Sequence, residues 1–534
     1  TPMKLRHDAL YASRRSPVLA RNVVSTSQPL AAQAGLRMLL AGGNAADAAL
    51  ASAIALTVLE PTGNGLGSDA YAIIWDGKEL HGLNASGRAP AAWSPERFAG
   101  ADAMPQRGWE SVTVPGAVSA WREISDKFGK LPFEKLFEPA IEYASRGFAV
   151  SPIIATLWEK GGNLLGKQPG FAEAFLPGGK APKAGELFIN RAIAESLTDI
   201  AETGGESFYR GRLAAKIAAF AKENGAVLTE EDLGNHKTDW VGTISQSFGK
   251  VKLHEIPPNG QGISALIALG ILRHTNIADH APDSVEALHL EIEAMKLAFA
   301  DMHEYVADLD HMRDVTVEHL LSDDYLKSRA ALIDANKAQD FKAGAPKHGG
   351  TVYVTAADES GMMVSFIQSN YMGFGSGVVV PGTSISLQNR GFGFTLKDGH
   401  PNQVAGGKRP FQTIIPGFLM GDDGNPVMSF GVMGGPMQSQ GHLQMTLRTQ
   451  LWGQDPQTAA DAPRWQALSG LEVAVEASVG ADVIDALKTK GHAIKVEAPD
   501  STNFGFGGAQ LIAKTDAGYV AGSDPRKDGC AVGY

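Results

Sequence analysis

The order in which hydrophobic texture changes along this chain restricts its architecture more than any other feature. Two Ala/Leu-rich helical stretches fill the first 60 residues, and residues 63–90 then alternate apolar segments with turns such as Asp76-Gly77, the pattern of antiparallel strands. Helical spacing returns over 115–235, followed by a strand-like segment at 240–256, a turn leading into the helix of "PPNGQGISALIALGIL", and a long helix over 284–308. Residues 330–350 mix Lys, Ala, Gly and Pro as an exposed loop does. From Thr351 onward the texture is strand: "TVYVTAAD", "MMVSFIQSN", "SGVVVPG", "SISLQN". Helices and strands grouped in blocks, without regular alternation, predict layers of helix around sheets and not a parallel βαβ series.

Local signals agree with that division. Gly42-Gly43 suits the left-handed end of a first helix, and Asn44, with Asp47 three residues on, suits the start of a second. The 534 residues are 44% hydrophobic, enough for a large core without disulfides or metals. A single cysteine, Cys530, excludes an intrachain disulfide and a cysteine-based metal site. The net charge of −11 counts against a nucleic-acid partner, which needs clustered Lys and Arg. The most apolar run, 45–58, contains Asp47 and is too short to span a bilayer. No membrane association is expected; the expected compartment is the cytoplasm, or the periplasm if a leader has been removed.

Three stretches invite a chemical reading. "GNGLGS" (63–68) lacks the third glycine of a dinucleotide fingerprint and runs into strand, not helix, so it reads as a turn. His289, Glu293, Lys296 and His303 share a helix but not the spacing of a helical zinc motif; a hydrogen bond between His289 and Glu293, one turn apart, is expected in place of a metal. The third is "KHGGTVYVTAAD" (347–358), which sets Thr351 behind two glycines. A glycine turn before a strand explains it. So does a self-cutting site: a hydroxyl is a weak nucleophile until a base removes its proton, and cutting Gly350–Thr351 would give Thr351 an α-amine of its own, with an ordinary pKa of about 7.7–8.0. Farther on, "SFGVMGGPMQSQGH" (429–442) places Gly434-Gly435 where backbone N–H groups can meet a developing oxyanion.

Taken together, these segments resemble the γ-glutamyltransferase family of N-terminal nucleophile hydrolases. The resemblance runs nearly end to end, through "AGGNAADAALASAIALTVLEP", "PPNGQGISAL", "HLEIEAMKLAFADMHEYVADLD", "GGTVYVTAADESGMMVSF", "FGSGVVVPGTSISLQN", "GGKRP", "GVMGGP" and "AGSDPRKDGCAVGY". It implies an α+β fold, a four-layer αββα sandwich, and a precursor that cuts itself into a large subunit (1–350) and a small one (351–534). These stay together as a heterodimer, which can itself pair. Carried over, Thr351 is the nucleophile and Gly350–Thr351 the cleavage site. Gly434 and Gly435 form the oxyanion hole, and Ser369 stands where the family has a hydroxyl near the nucleophile. The substrate is a small-molecule amide, and no metal or organic cofactor takes part.

The departures bear on substrate. Where the family holds an α-carboxylate with arginine, this chain has "ASGRAP", with Ser86 aligned and Arg88 two residues on. Where acidic and amide residues hold the α-amine, "NRGFGF" offers Arg390 and no carboxylate. Tyr371 replaces an asparagine, and Gln412 and Thr413 replace paired serines. Arg390 would repel an ammonium but can grip a carboxylate with two parallel hydrogen bonds. The expected substrate is therefore a small acidic amide or N-acyl compound, oxamate-like, without an α-amine. The short segment between Phe394 and Lys408 predicts an open site in which water is the main acceptor. Two alternatives stand: an authentic γ-glutamyl hydrolase or transpeptidase acting on glutathione-type donors, and an uncut, non-catalytic binding relative.

Overall fold

In a computed structural model of the chain, the described residues are 1–5, 11, 13–346, 349–434, 437–497 and 504–534. Two seven-stranded antiparallel sheets occupy its centre. Edge to edge, the first consists of Val18–Ala20, Tyr519–Ser523, Gly508–Lys514, Pro426–Met433, Gly417–Gly421, Val251–Glu255 and Ile244–Phe248. The second consists of Cys530–Gly533, Val23–Thr26, Gly350–Ala357, Met363–Tyr371, Asp69–Trp75, Leu80–Asn84 and Asp239–Trp240. Helices Pro29–Leu40 and Ala45–Leu59 cover the outer face of the second sheet; Gly262–Leu272, Val285–Tyr305 and Gln438–Thr446 cover that of the first. The result is the expected α+β four-layer αββα sandwich.

Successive side chains of a strand point to opposite faces, and here both faces are buried. Val352, Val354 and Ala356 pack on the helix layer, while Tyr353 and Ala357 enter the space between the sheets. Phe430 and Val432 likewise face helices and Met433 faces the other sheet. Burial on both sides explains why these strands read as continuous apolar runs. Hydroxyls stitch the inter-sheet layer: Thr355 Oγ1 donates to Ser429 Oγ at 2.8 Å, and Ser365 Oγ donates to the Phe430 carbonyl at 3.3 Å. The Tyr353 ring lies directly over Gly431, where an added methyl would come within 2.4 Å of it.

Ala45–Leu59 is buried over its whole length, as a helix between a sheet and other helices must be. Its start carries a reciprocal cap: Asp47 N–H donates to Asn44 Oδ1 at 3.1 Å and Asn44 N–H donates to Asp47 Oδ2 at 3.0 Å, an arrangement that contributes about 1 kcal/mol. Ala45 N–H donates to Asp358 Oδ2 at 2.7 Å, tying this helix to the end of the Gly350–Ala357 strand. Gly35 lets the preceding helix approach closely, since a side chain there would lie 2.5 Å from Ser52 Oγ.

Stretches 1–350 and 351–534 both supply strands to each sheet, so they interleave as one folded unit. The helical histidines differ from expectation. His289 bonds to His492 (2.7 Å) and the Asp334 carbonyl (2.8 Å), while Glu293 pairs with Lys296 at 2.5 Å, so no His289–Glu293 bond forms. Burial at 1% and 0% exposure demands stronger partners than a helix-surface contact offers. Among the described residues no helix is long and apolar enough to cross a membrane.

Gly431→Ala should force Tyr353 and its 2.6 Å bond with Ser365 aside. The expected cost is about 1–3 kcal/mol, read as a lower urea midpoint with an unchanged slope.

Candidate active site

Thr351 sits at the head of its strand, 2% exposed, where regular pairing with Met363–Tyr371 breaks into a bulge: Thr351 opposes Ser369, and Gly350 opposes Tyr371. The extra residue turns Tyr371 into the left-handed region, φ +83°, which a bulky side chain adopts only under constraint. That turn aims the Tyr371 N–H at Ser369 Oγ (2.8 Å). Thr351 Oγ1 donates to the same oxygen at 3.0 Å, and Ser369 Oγ donates to the Gly350 carbonyl at 2.5 Å. A hydroxyl has one proton to give and two lone pairs, so Ser369 is fully used. Gln438, at the start of its helix, completes the group: its Nε2 donates to Thr351 Oγ1 at 3.5 Å, and its Oε1 accepts from Ile415 N–H at 2.9 Å.

A cavity of about 440 Å³ opens onto Thr351, walled by Gly349, Gly350, Gly434, Phe374 and Met433 among others. Gly434 takes φ +91° between the Pro426–Met433 strand and the Gln438 helix. Gly435, its expected partner, lies outside the described residues.

On the far side of Tyr371 is a buried polar cluster. Arg390 is completely enclosed, its guanidinium 4.4 Å from the centre of the Tyr371 ring, and its Nη1 donates to Thr413 Oγ1 at 2.8 Å. Its Nε and Nη2 have no hydrogen-bond partner among the described residues. Burial lowers its pKa to about 10, opposed by the negative charge of Asp69, so it remains a cation at neutral pH. The segment around Arg390 has no carboxylate of its own, and the strand Asp69–Trp75 supplies one from elsewhere in the chain, Asp69, whose charge acts on it. Its Oδ1 accepts from Gly116 N–H at 3.1 Å and its Oδ2 from Gln412 Nε2 at 2.8 Å. Burial raises its pKa to about 6, with Arg390 pulling it back down.

Thr351, Ser369, Tyr371, Arg390, Gln412 and Thr413 thus form one connected neighbourhood. Ser86 is buried close by, donating to Asn84 Oδ1 at 2.7 Å and accepting from Asn259 Nδ2 at 3.1 Å. Arg88 turns away to Asp239, 3.5 Å from it, at the half-exposed edge. The guanidinium beside Ser86 is that of Arg409, which donates to the Ser86 carbonyl at 2.9 Å. The segment 394–408 is short but does not leave Arg390 open. Phe394 and Val404 pack with Trp93 and Phe98, and Lys408 Nζ donates to the Pro401 (2.5 Å) and Gln403 (2.8 Å) carbonyls, folding the segment onto itself.

A continuous peptide carrying a threonine hydroxyl, a second hydroxyl on the preceding carbonyl, and an adjacent cavity, all in an αββα sandwich, matches a known architecture. The family model described as gamma-glutamyltranspeptidase matches residues 31–534. The chain belongs to the γ-glutamyltranspeptidase family. The glutathione hydrolase-like YwrD proenzyme of Bacillus subtilis is 35% identical to it, with 97% of this chain and 99% of that one aligned. The oxamate amidohydrolase proenzyme of Klebsiella pneumoniae is 36% identical over 95% and 97%. Among solved structures, the cephalosporin acylase from Bacillus halodurans superposes with a TM-score of 0.94 at 46% identity, covering 100% and 99% of the two chains. The chain is accordingly a hydrolase of the transpeptidase and acylase type.

Asp69, Gln438 and Arg409 escaped the sequence reading. Asp69 left a signal, a charged residue opening a wholly apolar strand, which must find partners once buried. Gln438 and Arg409 left none, because only the fold brings them to Thr351 and Ser86.

Asp69 yields a pH prediction. Its folded pKa, about 6, lies above the ordinary 3.8, so its contribution to stability is full below the unfolded value and is lost as pH rises through about 6. Asp69→Asn removes that loss, and Gln412 Oε1, which has no partner among the described residues, can accept from the new amide after a side-chain flip. Between about pH 4 and pH 7, the stability of the variant relative to the parent should improve by about 2–3 kcal/mol, measured by urea denaturation at each pH.

Proposed function

We propose that this chain is a self-cutting amide hydrolase whose nucleophile is Thr351. The observation that carries this reading is the hydroxyl chain from Thr351 Oγ1 through Ser369 Oγ to the Gly350 carbonyl. Thr351 Oγ attacks the Gly350 carbonyl carbon. Its proton passes to Ser369, whose own proton goes to the carbonyl oxygen. Collapse of the tetrahedral intermediate breaks the C–N bond as the proton on that oxygen is passed back to the departing nitrogen, leaving an ester on Thr351 Oγ and a free, neutral Thr351 amine. Water then opens the ester, giving a large subunit ending at Gly350 and a small one beginning at Thr351. The interleaved sheets keep the two together as a heterodimer.

In the mature protein the Thr351 amine acts as the base. The hydroxyl attacks a substrate amide, the leaving amine takes up the proton, and water hydrolyses the acyl ester. The N–H groups at Gly434 and Gly435 are assigned to the oxyanion. The acyl group carries a carboxylate and no α-ammonium, and Arg390 holds it: two of its nitrogens, Nε and Nη2, lack any acceptor among the described residues, and both Asp69 oxygens are already engaged. The relative named as an oxamate amidohydrolase is consistent with such an acid. A γ-glutamyl donor would set its ammonium against Arg390.

Denaturing mass spectrometry should show two fragments summing to the precursor plus one water, the smaller beginning at Thr351. Thr351→Ala should give one full-length mass, and Ser369→Ala should slow cutting by about 10²–10³ as an oxyanion donor is lost. A single mass for the parent protein would make it a binding relative. With p-nitroanilides, oxamyl and glutaryl groups should be released faster than γ-glutamyl. Arg390→Leu should lower kcat/KM for the preferred acid about 10- to 100-fold, the worth of a charged hydrogen bond. A clear preference for γ-glutamyl would refute the role given to Arg390.

A further inference from the structure

The cavity beside Thr351 has a composition that the acyl-side reading does not use. Arg390 is not in its wall. Its floor and sides are apolar, formed by Ile153, Leu157 and Leu164 of the Pro152–Leu165 helix together with Phe374 and Met433. Its charges do not balance locally. Glu60 and Lys527 attract each other across the wall, and Glu60 also accepts from Ser27 Oγ at 3.0 Å. Asp528 Oδ2 accepts from Ile153 N–H at 3.0 Å. Arg107 has no such counterpart among the described residues.

Arg107 is held in place by its Nη1, which donates to the carbonyls of Gly373 (2.6 Å) and Gly375 (2.5 Å). Gly373 is itself a wall residue and lies against Gly350, so the guanidinium stands close to the bond to be cut. Neither Arg107 nor the exposed Lys160 on the same wall forms an ion pair among the described residues. Desolvation lowers the Arg107 pKa to about 10, with no carboxylate acting on it, and it stays charged at neutral pH. A half-buried cation fixed by two backbone carbonyls, with its remaining N–H groups beside an apolar chamber, is arranged to receive an anion.

An amide attacked by Thr351 must send its two halves to different sides. On the reading above, the acyl half goes to Arg390, beyond Tyr371, which leaves this cavity to the amine. We propose that Arg107 selects the leaving group, favouring amines with an apolar body and a carboxylate, such as the apolar α-amino acids of N-acyl-amino acids. Arg107 is a specificity residue and takes no part in bond breaking.

The test uses the cut protein and two substrates differing only in charge, an N-acyl-L-leucine and the corresponding N-acyl-L-leucinamide. The acyl group is whichever gives the fastest p-nitroanilide, so an error about Arg390 changes the acyl group and leaves the comparison intact. The parent protein should favour the leucine compound at least about tenfold in kcat/KM, mainly through KM. Arg107→Met should bring the two within about twofold of each other, the loss falling on the leucine compound, and Arg107→Lys should retain part of the preference. Absence of a preference in the parent overturns the proposal, as when the new Gly350 carboxylate occupies Arg107 instead. A preference surviving in Arg107→Met also overturns it. If Arg107→Met does not fold, the parent comparison and Arg107→Lys decide. Failure of cut protein to release any anilide would defeat the role of Thr351 itself, and this inference with it.

Discussion

One hydroxyl, that of Ser369, sets the geometry on which the chemistry depends. It accepts from Thr351 Oγ1 and Tyr371 N–H and donates to the Gly350 carbonyl. Those bonds exhaust its capacity, so each partner is held in a single position. The register of two central strands brings Thr351 and Ser369 together, and the bulge after them supplies the Tyr371 N–H. Displacing either strand by one residue would send Thr351 to the helix-facing side. The inter-sheet hydroxyl bonds and the packing of Tyr353 on Gly431 guard that register.

Burial of charge is the second constraint. Arg464 pairs with Asp524 at 0% exposure, because an enclosed charge without a partner is costly, and the equally enclosed His442 and Glu255 share a 2.5 Å hydrogen bond. Arg390 is satisfied only in part: Thr413 takes one N–H group, Tyr371 offers its ring face, and Asp69 lends charge without a close ion pair. Arg107, in the wall of the cavity at Thr351, rests among the described residues on two carbonyls.

Much of the layered fold was legible in the chain. Most blocks of helix and strand, the Asn44-Asp47 cap and the turn at Asp76-Gly77 are local, and the structure contains them; the exception is the stretch before Pro29, read as helix, which holds the strands Val18–Ala20 and Val23–Thr26 because the sheets recruit it. Thr351 and Ser369 could be named because they lie in continuous segments with a recognisable pattern. Arg390 could be named too, but its surroundings could not: Asp69 comes from a strand more than 300 residues earlier, and the Arg88 expected nearby is drawn off by Asp239. Arg107 sits in a stretch with no pattern at all.

The sequence by itself determined which segments are helix or strand, where Thr351 stands behind its glycines, and that the chain belongs with the γ-glutamyltranspeptidases. These follow from nearest-neighbour sterics, hydrophobic period and motif order, all written along the chain. Tertiary structure alone decided which hydroxyl meets Thr351, that Asp69 lies beside Arg390, and that Arg107 faces the cavity with no ion pair among the described residues. Such contacts join residues far apart in the chain, and their distances are set by sheet register and layer packing, to which no local pattern is sensitive.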